Sequence, residues 1–274
     1  MLTIAVCNQK GGVGKSTTTY HLARAAQRVG DRVLVVDMDP QANITSTITP
    51  EGVCEDAESI ADVLSSRTPT RMSDIITQGV WDNVSVAPSA GDTLATVRDE
   101  LVISGAGRET RLREALEVVS GHYDVCLIDC APALDQLTLN ALSAADKVLI
   151  VTHAKLWSAN GLARLLATVE DVQRYYNPDL DIAGIVVNQF EARTLAAGHW
   201  HRELKGAAQQ RGIYLFEPHI PKRTMIADCV EGGIGLDECQ GRDAEYLAFL
   251  YMFMLDQIAT GQAREFEQWK EAQR

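Results

Sequence analysis

The sequence predicts an α/β fold, with a mostly parallel sheet covered by helices on both faces. Short runs rich in β-branched residues alternate with helical patterns along nearly the whole chain, which is typical of consecutive βαβ units. Several of these runs are apolar throughout, as expected of strands that helices cover on both sides. Neither a Pro- or Ser-rich linker nor an internal repeat divides the 274 residues. A single α/β domain is therefore the economical interpretation.

The pattern predicts seven strands and six helices in the following order. The predicted strands are Leu2–Cys7, Arg32–Asp37, Val84–Ala87, Val125–Asp129, Lys147–Val151, Ile182–Asn188 and Tyr214–Glu217. The predicted helices are Ser16–Val29, Arg108–Val119, Gln136–Ala144, Gly161–Tyr176, Ala196–Gln210 and Asp243–Ile258. Residues 45–70 are predicted to form a loop-rich segment. We expect the domain to span residues 1–260 and a charged helical tail to follow over residues 261–274.

Composition and charge exclude several classes of protein. Hydrophobic residues make up 46% and charged residues 23% of the chain, which excludes wholesale disorder and collagen-like repeats. A formal net charge of −12 excludes a uniformly basic nucleic-acid binder, although a local basic patch remains open. The longest apolar run, Leu247–Leu255, is far shorter than the about 20 residues that cross a bilayer. The start of the chain lacks a basic n-region, and the cysteines show no zinc spacing. These features predict a soluble, cytoplasmic protein.

The strongest signal is a glycine-rich loop between the first strand and the first helix. Residues 10–17 read KGGVGKST, with Gln9 in place of the glycine that opens the usual phosphate-loop pattern. Such a loop points backbone N–H groups at an anion, and the helix N-terminus adds its positive dipole end. We expect Lys15 to reach the β- and γ-phosphates and the Ser16 hydroxyl to bind Mg²⁺. The predicted nucleotide-binding loop consists of Lys10, Gly11, Gly12, Val13, Gly14, Lys15, Ser16 and Thr17.

Two further strands are predicted to end in acids. The second strand leads into DMDPQAN over residues 37–43, and carboxyl ends of parallel strands form the ligand crevice of open sheets. Asp39 is therefore predicted near the γ-phosphate, whereas for Asp37 a role in a strand-terminating turn stays equally open. Residues 123–130 read YDVCLIDC, an apolar strand that ends in an acid. Asp129 is predicted to hold Mg²⁺ directly or through water.

Together, KGGVGKST, DMDPQAN and YDVCLIDCAPAL resemble the ParA/Soj partition ATPases of the deviant-Walker family, which also includes MinD. The similarity continues in VVNQFEAR at residues 186–193 and IPKR at residues 220–223. This resemblance implies a doubly wound parallel sheet and slow, switch-type hydrolysis of ATP. It also implies an ATP-dependent homodimer in which Lys10 reaches the partner's nucleotide. Asp39 would then position the attacking water, while Asn188 and Pro221 would lie near the adenine.

The resemblance further implies how such an ATPase works in the cell. The ATP-bound dimer would bind double-stranded DNA without sequence preference, and a ParB-like adaptor would stimulate hydrolysis and reset the cycle on the nucleoid. Arg193 matches the DNA-binding position of the family. Met225 replaces an arginine of many relatives, so we expect Lys222 and Arg223 to substitute for it. Residues 190–225 carry a net charge of +3, which is consistent with a DNA face and also with ordinary solvated helices.

Three alternatives remain. A MinD-like, membrane-cycling ATPase that positions the division site would need a basic amphipathic tail, but residues 262–274 carry balanced charges. An ATP-dependent amide ligase on the same fold is disfavoured by the paired glycines beside Lys10. His199 and His201 could be metal ligands, yet no third ligand stands at a useful spacing. A surface or structural role is favoured for these histidines.

Overall fold

A single seven-stranded sheet forms the centre of the computed structural model, which describes residues 1–49, 52, 57–153, 159–191, 195–262 and 265–272. The strands are β1 (Leu2–Cys7), β2 (Val33–Met38), β3 (Thr77–Gln78), β4 (Val84–Ala87), β5 (Val125–Cys130), β6 (Lys147–His153) and β7 (Asp181–Asn188). Their order is β3-β4-β2-β5-β1-β6-β7, and only β3 pairs antiparallel with its neighbour. The predicted doubly wound, mostly parallel sheet is confirmed.

Helices flank this sheet along the described chain. They are α1 (Lys15–Arg28), α2 (Asn43–Ile48), α3 (Ile60–Leu64), α4 (Met72–Ile75), α5 (Gly91–Ile103), α6 (Arg111–Val119), α7 (Gln136–Ala144), α8 (Ala159–Tyr175), α9 (Leu195–Gln210), α10 (Thr224–Glu231), α11 (Arg242–Thr260) and α12 (Phe266–Ala272). The six predicted helices are all present. Among the described residues of the segment predicted as loop-rich, α3 and the end of α2 are helical. Helices α4, α5 and α10 and strand β3 were not predicted.

The predicted strand Tyr214–Glu217 is wrong. This segment makes only an isolated parallel bridge between Leu215 and Ile185 of β7. The N–H of Ile185 donates to Tyr214 at 2.7 Å, and the N–H of Phe216 donates back to Ile185 at 2.9 Å. Pro218 follows two residues later and has no N–H to donate, so the ladder cannot continue regularly. Pairing resumes where the N–H of Ile220 donates to Val187 at 3.0 Å.

Two apolar layers enclose the sheet, one on each face. Because side chains of a strand alternate, β1 places Ile4 and Val6 in one layer and Ala5 and Cys7 in the other, all of them buried. Helices α3, α5, α6, α7 and α8 cover the Ala5 side, whereas α1 and α11 cover the Ile4 side. The buried centre fixes the carboxyl ends of β1, β2 and β5 side by side.

The last described helix, α12, packs against α11. Its Phe266 and Trp269 are each only 5% exposed. Their rings lie 5.2 and 5.3 Å from the ring of Phe253 in α11. Among the described helices, none is both long and apolar enough to cross a membrane.

Candidate nucleotide-binding site

The loop between β1 and α1 is held in place by side chains at its two ends. At its start, Nδ2 of Asn8 donates to the carbonyl of Val151 in β6 at 2.6 Å, and Oδ1 of Asn8 accepts from the N–H of Lys10 at 3.0 Å. At its end, Nδ2 of Asn188 donates to the carbonyl of Val13 at 3.3 Å. Neighbouring strands on one side of β1 thus anchor the loop.

Gly14 is required at the junction of the loop and α1. Its φ of +89° lies in the left-handed region, which side chains rarely adopt. A Cβ at this position would also lie 2.1 Å from Nδ2 of Asn188. The glycine therefore lets the Asn188 side chain approach the backbone of the loop.

The first turn of α1 provides an anion site. Gly14 caps the helix without a side-chain hydrogen bond from the described residues, and the first turn carries no acid. Its leading N–H groups and the positive end of the helix dipole thus face the loop. The hydroxyls of Thr18 and Thr19 donate to the carbonyls of Gly14 and Lys15 at 2.7 and 3.1 Å. Lys15 is 7% exposed and lies in this turn, as a phosphate-binding lysine requires.

Asp37 and Asp129 end neighbouring strands and are both completely buried. Oδ2 of Asp37 accepts from the N–H and the hydroxyl of Thr45, at 3.0 and 2.7 Å, and Oδ1 accepts from the N–H of Asp39 at 3.0 Å. These bonds use both oxygens of Asp37 to shape the turn after β2. Of the two roles left open for this residue, the structural one is favoured.

Asp129 keeps one oxygen available. Oδ1 accepts from the hydroxyl of Thr19 at 3.3 Å, whereas Oδ2 is buried and has no hydrogen-bond partner among the described residues. Burial raises the pKa of Asp129 well above its usual range, the charge of Asp37 raises it further, and Ser16 and Lys15 lower it. A carboxylate oxygen of this kind suits Mg²⁺, a hard cation that would offset the paired negative charges. The residues present therefore fit the predicted cation.

Asp39 and Lys10 differ in their exposure to solvent. Asp39 is 6% exposed; its Oδ1 accepts from the N–H of Gln41 at 2.9 Å, and its carbonyl accepts from the hydroxyl of Ser89 at 2.9 Å. The turn after β2 thus holds this carboxylate in a fixed orientation. Lys10 is exposed. Gln9 and Lys10 also line a cavity of about 350 Å³ between the loop and α8, away from the buried acids.

Of the predicted adenine and DNA residues, Asn188 ends β7, whereas Pro221, Lys222 and Arg223 lie between α9 and α10. Pro221 forms a parallel bridge with Phe190. Lys222 and Arg223 are exposed. Nζ of Lys222 lies 3.4 Å from Oε1 of Glu191, and Nε of Arg223 lies 3.7 Å from Oδ2 of Asp243. The predicted DNA residue Arg193 falls outside the described residues, so only Lys222 and Arg223 are located.

Several polar residues of the site were not predicted. Asn8 braces the start of the loop, and Thr19, Thr45 and Ser89 hold the acids in position. Asn188, which was predicted near the adenine, braces the other end of the loop. One signal was available: three consecutive threonines open α1, and β-branched residues are poor helix formers there unless their hydroxyls find partners. The partners of Thr45 and Ser89 lie too far along the chain for spacing to indicate them.

A glycine loop at the start of a buried helix, with acids at the ends of neighbouring strands, defines a P-loop nucleotide-binding protein. A family model described as AAA domain matches residues 1–182. Sporulation initiation inhibitor protein Soj of Bacillus subtilis is 36% identical, over 94% of this chain and 98% of that protein. Chromosome-partitioning ATPase Soj of Thermus thermophilus is 38% identical, over 84% of this chain and 85% of its own. The chain belongs to the Soj/ParA family of partition ATPases, as the resemblance predicted.

A solved structure with a bound nucleotide analogue shares this fold. Cobyrinic acid a,c-diamide synthase of Mycobacterium smegmatis, with a bound ATP analogue and magnesium, superimposes with a TM-score of 0.78. The two chains are 29% identical over 96% of this chain and 97% of the other. The predicted cofactors, ATP and Mg²⁺, are therefore confirmed at the level of the fold family. Identity with either Soj protein is higher, so the comparisons favour a partition ATPase over an amide-forming enzyme or a MinD-like protein.

Proposed function

We propose that this protein is a switch-type ATPase that moves or positions DNA, forming a dimer with ATP and returning to monomers after hydrolysis. The observation that carries the proposal is the different exposure of two lysines in one loop. Lys15 is buried in the first turn of α1, whereas Lys10 is exposed. A phosphate loop needs one lysine for its own nucleotide. We assign the second, exposed lysine to a nucleotide held by another subunit.

Within one subunit, each residue of the site has a distinct role. The loop N–H groups and Lys15 bind the β- and γ-phosphates, and Ser16 with Asp129 holds Mg²⁺. Held by these residues, Mg²⁺ would supply positive charge that offsets the negative charge developing on the phosphate. Asp39, fixed by its turn, orients the attacking water. Because the site works by positioning and charge, slow basal turnover is expected until an adaptor completes it.

Dimerisation would follow from the position of Lys10. In a two-fold dimer, the same loop of each subunit faces the other. A lysine that neutralises phosphate charge across this interface binds only when nucleotide is present, so ATP favours the dimer by mass action. We expect a ParB-like adaptor to stimulate hydrolysis and thereby release the subunits.

DNA binding is assigned to the segment that contains Arg193, Lys222 and Arg223. Residues 190–225 carry a net charge of +3 in a chain of −12, and Lys222 and Arg223 are exposed. Dimerisation doubles this basic surface, so affinity for duplex DNA is expected to depend on ATP. This would place the protein on the nucleoid in the cytoplasm, with residues 1–260 as one domain and residues 261–274 as its tail.

The test measures oligomeric state and DNA binding together. Wild type, Lys10→Ala and Lys147→Ala are compared by light scattering and by gel shift on two unrelated duplexes, with ATP or ADP. Lys147 is a matched control because it lies at the opposite end of the sheet, where β6 begins. Lys10→Ala should bind ATP but remain monomeric, and Lys147→Ala should behave as wild type. Dimers that form equally with ADP would contradict the proposal, and ATP-dependent binding to anionic vesicles but not DNA would favour the MinD-like alternative.

A further inference from the structure

A cluster of two imidazoles and one carboxylate lies outside the nucleotide site. His201 lies in α9, and Glu217 and His219 lie in the irregular segment beside β7. One ligand atom from each residue lies within 4.8 Å of the others. The sequence showed no third ligand near His199 and His201, because the two partners follow 16 and 18 residues after His201. We propose that His201, Glu217 and His219 bind a transition-metal ion of the zinc class.

Each of the two imidazoles has a ring nitrogen that could bind a metal. Nε2 of His201 is buried and has no hydrogen-bond partner among the described residues; Oε1 of Glu217 lies 3.5 Å from it. Nδ1 of His219 lies 3.0 Å from the carbonyl of Phe216. A carbonyl only accepts, so Nδ1 carries the proton and Nε2 keeps its lone pair. Metal-bound histidines are fixed in the same way, by donating their other nitrogen to a carbonyl or carboxylate.

The two imidazoles pack against each other and against an aromatic ring. The ring of Phe190 lies 5.9 Å from the ring of His201 and 4.8 Å from that of His219, and the two imidazole rings are 4.8 Å apart. Two imidazole nitrogens and one carboxylate form a ligand set that zinc, cobalt and nickel prefer, whereas Mg²⁺ prefers oxygens. The site is thus chemically distinct from the magnesium site at Asp129.

Binding requires two local adjustments. A tetrahedral zinc site holds its donors at about 2.0–2.1 Å from the metal, so they must approach to about 3.4 Å of one another. Rotation of exposed Glu217 and half-buried His201 supplies this movement. In addition, Nζ of Lys205 lies 3.0 Å from Oε1 of Glu217 and must release it. Lys205 is therefore an internal competitor of the metal, and water completes the fourth position.

A bound metal would join α9 to the segment between α9 and α10. His201 belongs to the helix that begins at Leu195, immediately after the segment that contains Arg193. His219 directly precedes Ile220 and Pro221, which pair with Phe190 and β7. The metal would thus brace both elements against each other without contacting the phosphate loop. The site does not depend on ATP, and its test needs no nucleotide.

The experiment uses the full, untagged chain after chelator treatment, with reduced cysteines, excess Mg²⁺ and no nucleotide. Co²⁺ is titrated, and the visible ligand-field absorption of a four-coordinate site is followed until Zn²⁺ displaces it. We expect one equivalent of Co²⁺, without the near-ultraviolet charge-transfer band of thiolate ligands. His219→Gln and the double variant His201→Ala/His219→Ala should weaken binding by about 100-fold or more, since removal of partners outside the ligand set already costs about 10–100-fold.

Two matched variants make the result specific. His199→Ala removes an exposed histidine two residues from His201 and should bind as wild type. Lys205→Met removes the competitor and should tighten binding several-fold. Circular dichroism melts report folding, and Zn²⁺ should raise the melting temperature of wild type, His199→Ala and Lys205→Met but not of the two His219 variants. Unchanged binding in folded His219→Gln, or a thiolate band, would overturn the proposal.

Discussion

Asp37 of β2 and Asp129 of β5 occupy the same register on adjacent strands, and both carboxyls are completely buried. Both oxygens of Asp37 accept hydrogen bonds, from Thr45 and from the N–H of Asp39, whereas one oxygen of Asp129 has no hydrogen-bond partner among the described residues. Two buried carboxyls side by side favour protonation unless a cation joins them. The pair therefore links cation binding to protonation and to stability.

The first prediction concerns the pH dependence of stability without ligand. Burial raises the pKa of Asp129 and of Asp37 above their unfolded values. A raised pKa means that the folded state binds more protons than the unfolded state. The contribution of these two carboxyls to the free energy of unfolding is therefore fully present below about pH 4, and it is lost as pH rises through the folded pKa. Asp129→Asn removes this loss and should be more stable than wild type at pH 7, by about 1.4 kcal/mol for each unit of pKa shift.

The measurement is urea unfolding from pH 4 to pH 8 with chelator present. Asp124→Asn serves as the control, because hydrogen bonds from Arg32 hold the pKa of Asp124 below its usual range and its removal should lower stability at pH 7. Adding ATP and Mg²⁺ should stabilise wild type but not Asp129→Asn. Parallel pH profiles for wild type and Asp129→Asn would rule out this role of the pair.

The second prediction separates nucleotide binding from hydrolysis. Lys15→Ala should abolish detectable ATP binding, because it removes the buried cation that meets the phosphates. Asp39→Ala should retain ATP but lose hydrolysis by at least 100-fold and stay dimeric, since only the orientation of water is lost. Equilibrium dialysis with labelled ATP and single-turnover hydrolysis distinguish the two. Wild-type turnover in Asp39→Ala would disprove the assignment.

The third prediction addresses the DNA face. Each phosphate contact contributes a slope of about −0.9 in log K against log salt. Arg193→Ala removes one contact from each subunit, so the slope should flatten by about 2 for any duplex while basal hydrolysis is unchanged. Arg32→Ala, an exposed arginine at the opposite end of the sheet, should leave the slope as in wild type. The check is a gel-shift titration with ATP at several salt concentrations; an unchanged slope in Arg193→Ala would exclude this residue from the interface.

The fourth prediction concerns α12. Trp269 is 5% exposed and its ring lies 5.3 Å from Phe253, so Trp269→Ala should destabilise the fold by about 3 kcal/mol or release α12 from α11. Gln268→Ala alters an exposed neighbour on the same helix and should change stability by less than about 0.5 kcal/mol. Urea unfolding and tryptophan emission report both outcomes. Because the chain has four tryptophans, the emission of Trp269 is taken as the difference between wild type and Trp269→Ala, and a red-shifted difference spectrum would contradict the packing.

Local patterns predicted the sheet and the phosphate loop, because apolar strands and glycine turns are encoded by adjacent residues. Contacts between residues that are far apart in the sequence could not be predicted from such local patterns. Glu217 and His219 meet His201 only because the chain returns beside β7, and Ser89 reaches the carbonyl of Asp39 across 50 positions. Tyr214–Glu217 has strand-like composition, yet Pro218 prevents a regular ladder. The residues that orient the site through such contacts could therefore be identified only from the folded structure.

The contact between Asn188 and the loop also constrains how this protein can diverge. A Cβ at position 14 would collide with Asn188, so replacing Gly14 would require a smaller residue at position 188 as well. A smaller residue at 188 would leave a gap beside Val13, but would not relax the left-handed backbone of Gly14. Drift is thus asymmetric: position 188 can vary first, whereas glycine at position 14 stays fixed in every lineage that keeps the loop.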